Sequence, residues 1–505
     1  MSINLITSLT KYKGKYIIGS NNDLFTRIPE DLKYFKTITS NIKHDTESKI
    51  KYNVVVMGRK TWFSIPIERR PLSNRINIIL TNNKNLRNFP LLANIIPNKK
   101  IFNKDTYFFN MSELERFYKI TNADIFIIGG SEIYNLFISH PLMYPRKVYI
   151  TEVNKNSEEK RVSDTVYTYF QPLSYRYSLT KYSKLKRYLD TSYRFLEYIN
   201  TSDIFFLDDE TKYLSLCREI LNNGNTRPDR TDIGTIGIFG SSITFDISER
   251  VPLMTTKKVP YKSVIEELLW FCRGDTDTSI LSNRGVKIWD GNTTREFLDN
   301  RGLYNYQPGI LGPGYGWQWR FFGADYSQGF ADTRKIDSSK MGGFDQLDYI
   351  VNELRNNPYS RRLLVSAWNP VDNSKTALPP CHYSFQFYVE SRDNKQYLNC
   401  IFNMRSTDVF LGLPFNIFSY TVLTYIISAK CDMYPGKLIY SGADVHIYQN
   451  HIEAVETQLS REPRSLPALI MSKDIKYKDW SDISVDDFEL VGYFPHNSIK
   501  APMAV

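Results

Sequence analysis

Short apolar runs alternate with mixed segments along the first two hundred residues. The apolar runs are YNVVVMG (52–58), INIIL (76–80), DIFIIGG (124–130) and KVYITEV (147–153). Runs of this length are typical of buried strands, and the segments between them have helix-like or loop-like spacing. YRFLEYI (193–199) reads as a closing strand. The pattern predicts an α/β domain over residues 1–199.

A polar and acidic passage, NTSDIFFLDDE (200–210), separates this domain from the rest of the chain. After it, TKYLSLCREILNNG has helical spacing and stops at Gly224, and SVIEELLWFC predicts a strongly apolar helix. Strand-like runs come later, among them YLNCIFNMRS. We therefore expect a short linker at 200–210 and a second domain over 211–505.

One of the later runs, LPPCHYSFQF (378–387), joins a cysteine and a histidine to an alternating aromatic pattern. The alternation places Tyr383, Phe385 and Phe387 on one face of a half-buried strand, with Ser384 and Gln386 on the other. A packed thiol is one interpretation of Cys381, because free cysteines are usually buried. A nucleophile is the other.

Composition limits the class of protein. A chain of 505 residues is too long for one core, and its 42% apolar and 23% charged residues are ordinary for soluble globular proteins. Five widely spaced cysteines give no disulfide framework and fit a reducing compartment. No metal-binding spacing, signal-peptide pattern or long apolar run occurs, so we expect a cytoplasmic protein without bound metal or membrane spans.

Charge is distributed unevenly. Residues 1–200 carry 32 Lys and Arg against 17 Asp and Glu, whereas residues 201–505 carry 32 against 37. A basic first half favours polyanionic ligands, either nucleic acid or small molecules with phosphates and carboxylates. No basic helix, zinc finger or aromatic RNA-binding signature accompanies the charge, so nucleic acid is the weaker of the two.

Four arginines give Cys381 a chemical context. A nucleophilic cysteine needs nearby positive charge to lower the pKa of its thiol, and arginines bind phosphate as rigid forks. Together these residues would form a site for a phosphorylated electrophile, although each arginine taken alone is better explained as a solvated surface residue. The arginines are Arg230, Arg361, Arg362 and Arg405.

The second half resembles thymidylate synthase along its length. The matching strings include DRTDIGT, PLMTTKKV, EELLWFCRGDT, IWDGN, LGPGYGWQWR, SRRLLVSAWNP, LPPCH, RSTDVFLGLPFNI, GADVHIYQNH and IKAPMAV. The resemblance implies an α+β domain in which the Cys381 thiolate attacks dUMP, 5,10-methylenetetrahydrofolate supplies the one-carbon unit, and Glu267 organises proton transfers. It also implies a homodimer, with Arg361 and Arg362 reaching the phosphate in the neighbouring subunit.

The same resemblance assigns the other residues of this site. For dUMP it implies Arg230, Arg405, Ser406, Asp408, Asn416, His446 and Tyr448, with Asn416 discriminating uracil from cytosine. For the folate it implies Trp289, Asn292, Asp408 and Val505, although a core role for Trp289 stays open. His382 is a poor base for Cys381, because adjacent strand residues point to opposite faces. The family usually has Tyr-Gln where this chain has Asn403 and Met404.

Three junctions stand out in the first half. RIPEDLKYF places Pro29 just ahead of a helix-like run with acids in its first turn, whereas VVMGRKTWFSI and FIIGGSEIY place glycines after an apolar strand. Proline and acidic residues also favour helix starts on their own account. Glycines after a strand allow backbone N–H groups to approach a phosphate. The junctions therefore indicate a phosphate-bearing cofactor, with an ordinary helix start as the alternative for the first.

These strings, with IIGSNNDL, RPLSNRINIIL and YITEV, resemble dihydrofolate reductase over residues 3–199. The resemblance implies a central, mostly parallel sheet with flanking helices, and Asp31 as the carboxylate that holds the pterin. Thr151 would bond to Asp31, Glu30 would face solvent, Phe35 would pack on the folate and Arg75 would pair with its glutamate. It also implies a cis Gly129–Gly130 bond. NADPH would lie along Ser8, Gly19, Gly58, Arg59, Lys60, Thr61, Thr81, Gly129, Gly130, Ser131 and Tyr134.

The first half departs from its family at one loop. Leu24-Phe25-Thr26 stands where the family nearly always has Leu-Pro-Trp. Three interpretations follow. The chain is a bifunctional reductase–synthase, in which one half regenerates the folate that the other consumes; or a synthase with a weakened, ligand-binding reductase-like domain; or a nucleic-acid-binding protein. The charge difference between the halves also suggests electrostatic retention of dihydrofolate between the sites.

Overall fold

The structure is a computed structural model. It describes residues 2–12, 15–21, 23–24, 27–40, 43–44, 50–83, 106–121, 123–155, 166–201, 209–327 and 342–503. The chain divides into two compact units, Met1–Phe205 and Phe206–Val505. Most of the linker expected at 200–210 lies outside the described residues.

The first unit has fourteen strands and four helices among its described residues. The strands are β1 (Ile3–Tyr12), β2 (Lys15–Ser20), β3 (Asp23–Leu24), β4 (Lys43–His44), β5 (Ile50–Lys51), β6 (Asn53–Gly58), β7 (Arg75–Leu80), β8 (Thr106–Phe109), β9 (Ile125–Gly129), β10 (Lys147–Lys155), β11 (Tyr167–Tyr169), β12 (Tyr177–Tyr182), β13 (Lys186–Tyr188) and β14 (Thr191–Asn200). The helices are α1 (Pro29–Thr39), α2 (Arg59–Ser64), α3 (Met111–Ile120) and α4 (Ser131–Ile138).

A mixed sheet forms the centre of this unit, in the order β12-β14-β10-β1-β9-β6-β7-β8. The six strands from β10 to β8 pair in parallel, and β14 runs antiparallel to both β10 and β12. Helices α1, α2 and α4 pack on β6, which is why its apolar residues are buried without alternation. The α/β prediction is confirmed. Chain segments that leave the carboxyl ends of parallel strands meet at one edge, where ligands bind in such sheets.

The second unit has eight strands and eight α-helices among its described residues. The strands are β15 (Asn225–Arg227), β16 (Thr235–Asp246), β17 (Leu364–Ser366), β18 (His382–Arg392), β19 (Lys395–Asp408), β20 (Tyr434–Tyr448), β21 (Ala468–Met471) and β22 (Phe488–Val491). The helices are α5 (Asp209–Asn223), α6 (Tyr261–Arg273), α7 (Ser279–Ser282), α8 (Arg295–Asn300), α9 (Tyr315–Phe321), α10 (Gln346–Asn356), α11 (Gly412–Lys430) and α12 (Ile452–Leu459).

A six-stranded sheet in the order β15-β16-β20-β19-β18-β17 carries this unit. Only the β19–β20 pair in it is parallel among the described strands. The predicted strand after Cys381 is β18, and Phe385 and Phe387 are buried as expected. Ser384 was expected on the opposite face but is buried too. The pairing of β18 with β19 shifts register between His382 and Ser384. Asn403 Nδ2 on β19 donates to the Ser384 hydroxyl across 3.1 Å.

Helix α11 packs against β19, β20 and α6. Among the described helices, only α11 is long and apolar enough to cross a membrane by length and composition, yet 78% of its apolar stretch is buried within the unit. The hydroxyls of Thr421 and Thr424 return to carbonyls one turn earlier, at 2.8 and 2.7 Å. A helix that is apolar on every side is typical of a protein core.

Candidate active sites

Cys381 ends the loop before β18, and Arg405 lies beside it on β19. The backbone N–H of Arg405 donates to the Cys381 carbonyl at 2.9 Å, and its Nη2 lies 3.9 Å from the Cys381 Sγ. The guanidinium also donates to the carbonyls of Pro379 and Pro380, at 2.8 and 2.9 Å. The two prolines before the cysteine therefore hold the positive charge against the thiol.

Two opposing effects act on the pKa of Cys381. Burial raises the pKa, and it is the larger effect; Arg405, Tyr315 and Arg230 act to lower it. Because the thiolate is the reactive species, the nucleophilicity of Cys381 depends on these neighbours and on any further cation that a ligand-bound state brings close.

Tyr315 was not predicted as a site residue, although its motif, LGPGYGWQWR, was noticed. Its hydroxyl accepts the backbone N–H of Cys381 at 2.8 Å, and its ring lies 5.8 Å from that of Trp289. A neutral tyrosine gives no charge signal in a sequence, and only the fold brings positions 315 and 381 together. Trp368 was missed for the same reason, and its ring lies 5.5 Å from the Arg405 guanidinium.

Glu267 projects from α6 and lies beside the Tyr315–Trp289 pair. Its carboxylate accepts the indole N–H of Trp289 at 2.8 Å. Burial raises the pKa of Glu267 to about 7, against the opposing effect of that hydrogen bond. A carboxyl group that titrates near neutrality can both accept and return a proton under ordinary conditions. Trp289 is buried in the core, as one of its two predicted roles requires, and its contact with the folate stays a prediction.

The predicted phosphate ligands fall into two groups. Arg230 is exposed, yet close enough to affect the Cys381 thiol, and Ser406 is half-buried next to Arg405 on β19. Arg361 and Arg362 are exposed in the turn before β17, and within one chain the described contacts do not join them to Cys381.

Asp408, His446 and Tyr448 lie at the carboxyl ends of the parallel pair β19 and β20. Asp408 Oδ1 accepts the N–H groups of Phe410 and Leu411 at 3.0 and 3.1 Å, which fixes the entry to α11. The ring of His446 lies 5.2 Å from that of Tyr448 and bonds through Nδ1 to Asp444 at 2.9 Å. Burial raises the pKa of Tyr448 to about 12, so its hydroxyl stays protonated as a donor.

The C-terminal segment reaches this group. The Nε2 of His451 bonds to the Pro502 carbonyl at 2.7 Å, and its Nδ1 lies 3.8 Å from the Asp408 carboxylate. Val505, predicted to contact the folate, lies outside the described residues. Asn292 is buried in the turn after Trp289, to which it is joined through its backbone at 3.1 Å.

The structure shows where the unusual pair Asn403–Met404 directs its side chains. Asn403 bonds to Ser384 on the neighbouring strand, whereas Met404 faces α11, where its Sδ accepts a hydrogen bond from Asn416 Nδ2 at 3.5 Å. His382 is buried and bonds through Nδ1 to Tyr420 at 2.8 Å. Burial lowers the pKa of His382 to about 3, so its ring is neutral and engaged away from the thiol.

The predicted site residues of the first unit line one cleft of about 1490 Å³, with Thr151 bonded to its wall. The volume exceeds the roughly 300–1,000 Å³ that is usual for one small ligand. The cleft-lining predictions are Ser8, Gly19, Asp31, Phe35, Gly58, Arg59, Lys60, Thr61, Arg75, Thr81, Gly129, Gly130, Ser131 and Tyr134. Apolar wall residues that were not predicted include Ile6, Leu32, Ile65 and Leu72.

Asp31 lies in the first turn of α1. Thr151 of β10 donates its hydroxyl to Asp31 Oδ1 at 2.5 Å. Burial raises the pKa of Asp31 to about 6, and the Thr151 hydrogen bond acts against this rise. Glu30 is exposed, as expected, where it pairs with Lys186 and accepts the Tyr193 hydroxyl at 2.5 Å. The two adjacent carboxylates therefore titrate differently.

Phe35 and Arg75 form a second feature of the cleft wall. The Arg75 guanidinium lies 5.6 Å from the Phe35 ring and donates to Thr39 Oγ1 at 2.7 Å. Arg75 is only 5% exposed, and burial lowers its pKa to about 10. A buried guanidinium with free donor capacity suits a carboxylate ligand.

Glycines line the opposite part of the cleft. The Gly129–Gly130 peptide bond is cis, as expected, and Gly129 has φ +131°. A Cβ on Gly129 would lie 3.3 Å from Thr61 Oγ1, and a Cβ on Gly19 would lie 2.5 Å from the Asp23 carbonyl. The Tyr134 hydroxyl donates to the Ile6 carbonyl at 2.8 Å, which ties this wall to β1. Bare backbone next to a basic pair, Arg59 and Lys60, fits a phosphate-bearing cofactor.

Phe25 and Thr26, which distinguish this chain from its family, lie outside the described residues. Within the described part of the chain, no group of three or more His, Cys, Asp or Glu is placed to hold a metal ion. All five cysteines are free thiols.

Comparison with known proteins covers both units. The thymidylate synthase family matches residues 211–505, and the dihydrofolate reductase family matches residues 3–200. The chain is 36% identical to a bifunctional dihydrofolate reductase-thymidylate synthase of Zea mays, over 97% of this chain and 94% of the relative. It is 37% identical to the protein of the same description from Leishmania major, over 97% and 93%. A third relative, bifunctional dihydrofolate reductase-thymidylate synthase 2 of Arabidopsis thaliana, is 36% identical over 99% and 88%.

Proposed function

The chain belongs to the family of bifunctional dihydrofolate reductase–thymidylate synthases, and from this premise we propose which residues carry each reaction. The enzyme methylates dUMP to dTMP and reduces the dihydrofolate released in that step to tetrahydrofolate. We assign the first reaction to residues 211–505 and the second to residues 1–199. Every compared relative carries both activities in its description, and none favours a weakened reductase domain.

In the synthase site, the Cys381 thiolate adds to C6 of the uracil ring, which makes C5 nucleophilic toward the one-carbon unit of 5,10-methylenetetrahydrofolate. That folate also gives up a hydride and leaves as dihydrofolate, and Cys381 is released after the C5 proton is lost. Glu267 handles protons around the ring, Asn416 binds the uracil edge, and Arg230, Arg405 and Ser406 hold the phosphate. The observation that carries this assignment is the Arg405 guanidinium 3.9 Å from the Cys381 thiol.

In the reductase site, Asp31 holds the pterin and supports its protonation, while Arg75 pairs with the glutamate carboxylate of dihydrofolate. NADPH, when bound, supplies a hydride. The glycine wall, with Arg59 and Lys60 beside it, would hold the phosphates of that cofactor. Support comes from the cleft, which has room for two ligands, and from the pKa of Asp31 near 6.

We propose that the enzyme is a homodimer through its synthase domain and that Arg361 and Arg362 complete the partner's phosphate site. Their exposure in the turn before β17 supports this assignment. Exposed apolar residues on the sheet of the same domain, Phe239 and Leu364, supply part of the dimer surface. We further propose a cytoplasmic location and no structural metal.

Two variants of the full chain test the separation of the sites. Asp31→Ala should abolish NADPH-dependent dihydrofolate reduction and leave tritium release from 5-tritiated dUMP unchanged. Cys381→Ala should abolish tritium release and leave the reduction intact. If either single change removed both activities while circular dichroism remained unchanged, the assignment of separate sites would be wrong.

A further inference from the structure

Met404 contacts Asn416, the residue that we assign to the uracil edge. Its Sδ accepts a hydrogen bond from Asn416 Nδ2 across 3.5 Å. Met404 is 2% exposed on β19, and Asn416 is half-buried in the second turn of α11. The contact therefore joins a core strand residue to a side chain that borders the site.

The chemistry of a thioether makes this contact directional. Methionine sulfur accepts weak hydrogen bonds and donates none, whereas an asparagine amide has a donating nitrogen and an accepting oxygen. If the Asn416 amide were turned by 180°, its oxygen would face the sulfur, and two acceptors would meet without a proton between them. Met404 therefore favours the orientation in which Nδ2 faces the core strand and Oδ1 points elsewhere.

The orientation of this amide decides which pyrimidine it can bind. Uracil offers a donor at N3 and an acceptor at O4, whereas cytosine offers an acceptor at N3 and a donor at N4. With Oδ1 fixed, Asn416 can accept the uracil N3–H while the second hydrogen on Nδ2 serves O4. A turned amide would present the reverse pattern, which suits cytosine.

We propose that Met404 is a positioning residue that fixes the amide of Asn416 and so sets the preference of the synthase site for uracil over cytosine. The proposal rests on the assigned role of Asn416. It also assigns a role to Met404, which stands where the family usually has glutamine. A glutamine there can present its carbonyl oxygen to the same N–H of Asn416, so the methionine sulfur supplies the acceptor that the usual residue supplies by its oxygen.

The test compares two constants for each variant of the full chain. These are the KM for dUMP and the competitive inhibition constant of dCMP, both measured by tritium release from 5-tritiated dUMP. Met404→Leu keeps the apolar volume and removes the acceptor. We expect it to lower the ratio of the dCMP inhibition constant to the dUMP KM about tenfold, the equivalent of one hydrogen bond, with kcat for dUMP changed less. Met404→Gln, whose carbonyl can accept the same N–H, should restore most of the ratio.

Controls separate this effect from core repacking. Met254 is 1% exposed in the same core, so Met254→Leu makes the same chemical change away from Asn416 and should leave the ratio unchanged. Dihydrofolate reduction by each variant reports that the rest of the chain is intact. An unchanged ratio in Met404→Leu, an equal fall in Met254→Leu, or a failure of Met404→Gln to restore it would overturn the proposal.

A third variant distinguishes this proposal from the assignment on which it rests. Asn416→Ala should lose the preference for dUMP altogether. If the ratio of the dCMP inhibition constant to the dUMP KM falls in Asn416→Ala but keeps its wild-type value in Met404→Leu, only the role of Met404 is wrong. If Asn416→Ala keeps the preference, Asn416 does not read the base, and both assignments fail.

Discussion

The indole N–H of Trp289 points at the Glu267 carboxylate across 2.8 Å, at a position where burial brings the pKa of that carboxyl to about 7. The hydrogen bond favours the ionised carboxylate and thus acts against burial. The balance of the two effects places the pKa of Glu267 near neutral pH. The protonation of Glu267 should therefore be visible as an inflection in the pH–rate profile of dUMP methylation.

Trp289→Phe should move the Glu267 inflection in the pH–rate profile of dUMP methylation to higher pH. Loss of a donor to the ionised carboxylate raises the pKa, by about one unit for a charge-assisted hydrogen bond. The measurement is kcat between pH 5.5 and 9, with Glu267→Gln as the variant in which the inflection should vanish. A profile in Trp289→Phe that moved to lower pH would contradict the assignment.

Asp31→Asn should inactivate the reductase by at least about 10²-fold and at the same time stabilise the protein at high pH. The pKa of Asp31 is raised to about 6 in the folded state, so the folded protein binds this proton more tightly than the unfolded chain. The wild type therefore loses stability as pH rises from the ordinary aspartate range through 6, and the uncharged amide does not. We expect a gain of about 2 kcal/mol at pH 8 that shrinks at pH 5, measured by urea unfolding. An equal gain at both pH values would point to a cause other than titration.

Arg405→Met should slow the alkylation of Cys381 by iodoacetamide about tenfold at pH 8, because the guanidinium lowers the pKa of the thiol. The rate is read from the Cys381 peptide by mass spectrometry. Cys431 provides an internal control in the same sample, since burial raises its pKa to about 11 and Arg405 is not among its neighbours. Equal alkylation rates of Cys381 in both proteins would exclude Arg405 as the source of its reactivity.

Hybrid dimers test whether Arg361 and Arg362 act across subunits. A Cys381→Ala chain and an Arg361→Ala, Arg362→Ala chain are each inactive in methylation if the site is shared. Random association makes about half of the dimers hybrid, each with one intact site, so about a quarter of wild-type activity should return. Gel filtration verifies that both variants still associate. No recovery in mixed dimers would place the two arginines in the same site as their own Cys381.

The sequence predicted the elements of this protein better than the contacts of its sites. Apolar runs such as VVVMG were correctly predicted as buried strands. A strand that is buried on both faces is apolar at every position, so the run can be recognised without knowing which strands pair with it. Motif resemblance located Asp31 and Thr151, which lie 120 positions apart and meet at 2.5 Å. Tyr315 and Trp368 were missed because uncharged aromatics fill cores and sites alike. The partners of Asn403 and Met404 depend on a register shift after His382, which no local pattern encodes.

The reductase cleft runs without interruption from Asp31 to the Gly129–Gly130 bond, and its walls belong to a single domain. A linked inhibitor, with a pterin-like head and an anionic tail, could therefore occupy both subsites at once. Its second half would bind at the high effective concentration set by the linker, which raises overall affinity without any new contact. A resistance mutation in one wall would weaken only one of its two halves, so such a molecule should lose potency more slowly than an antifolate that fills the pterin subsite alone.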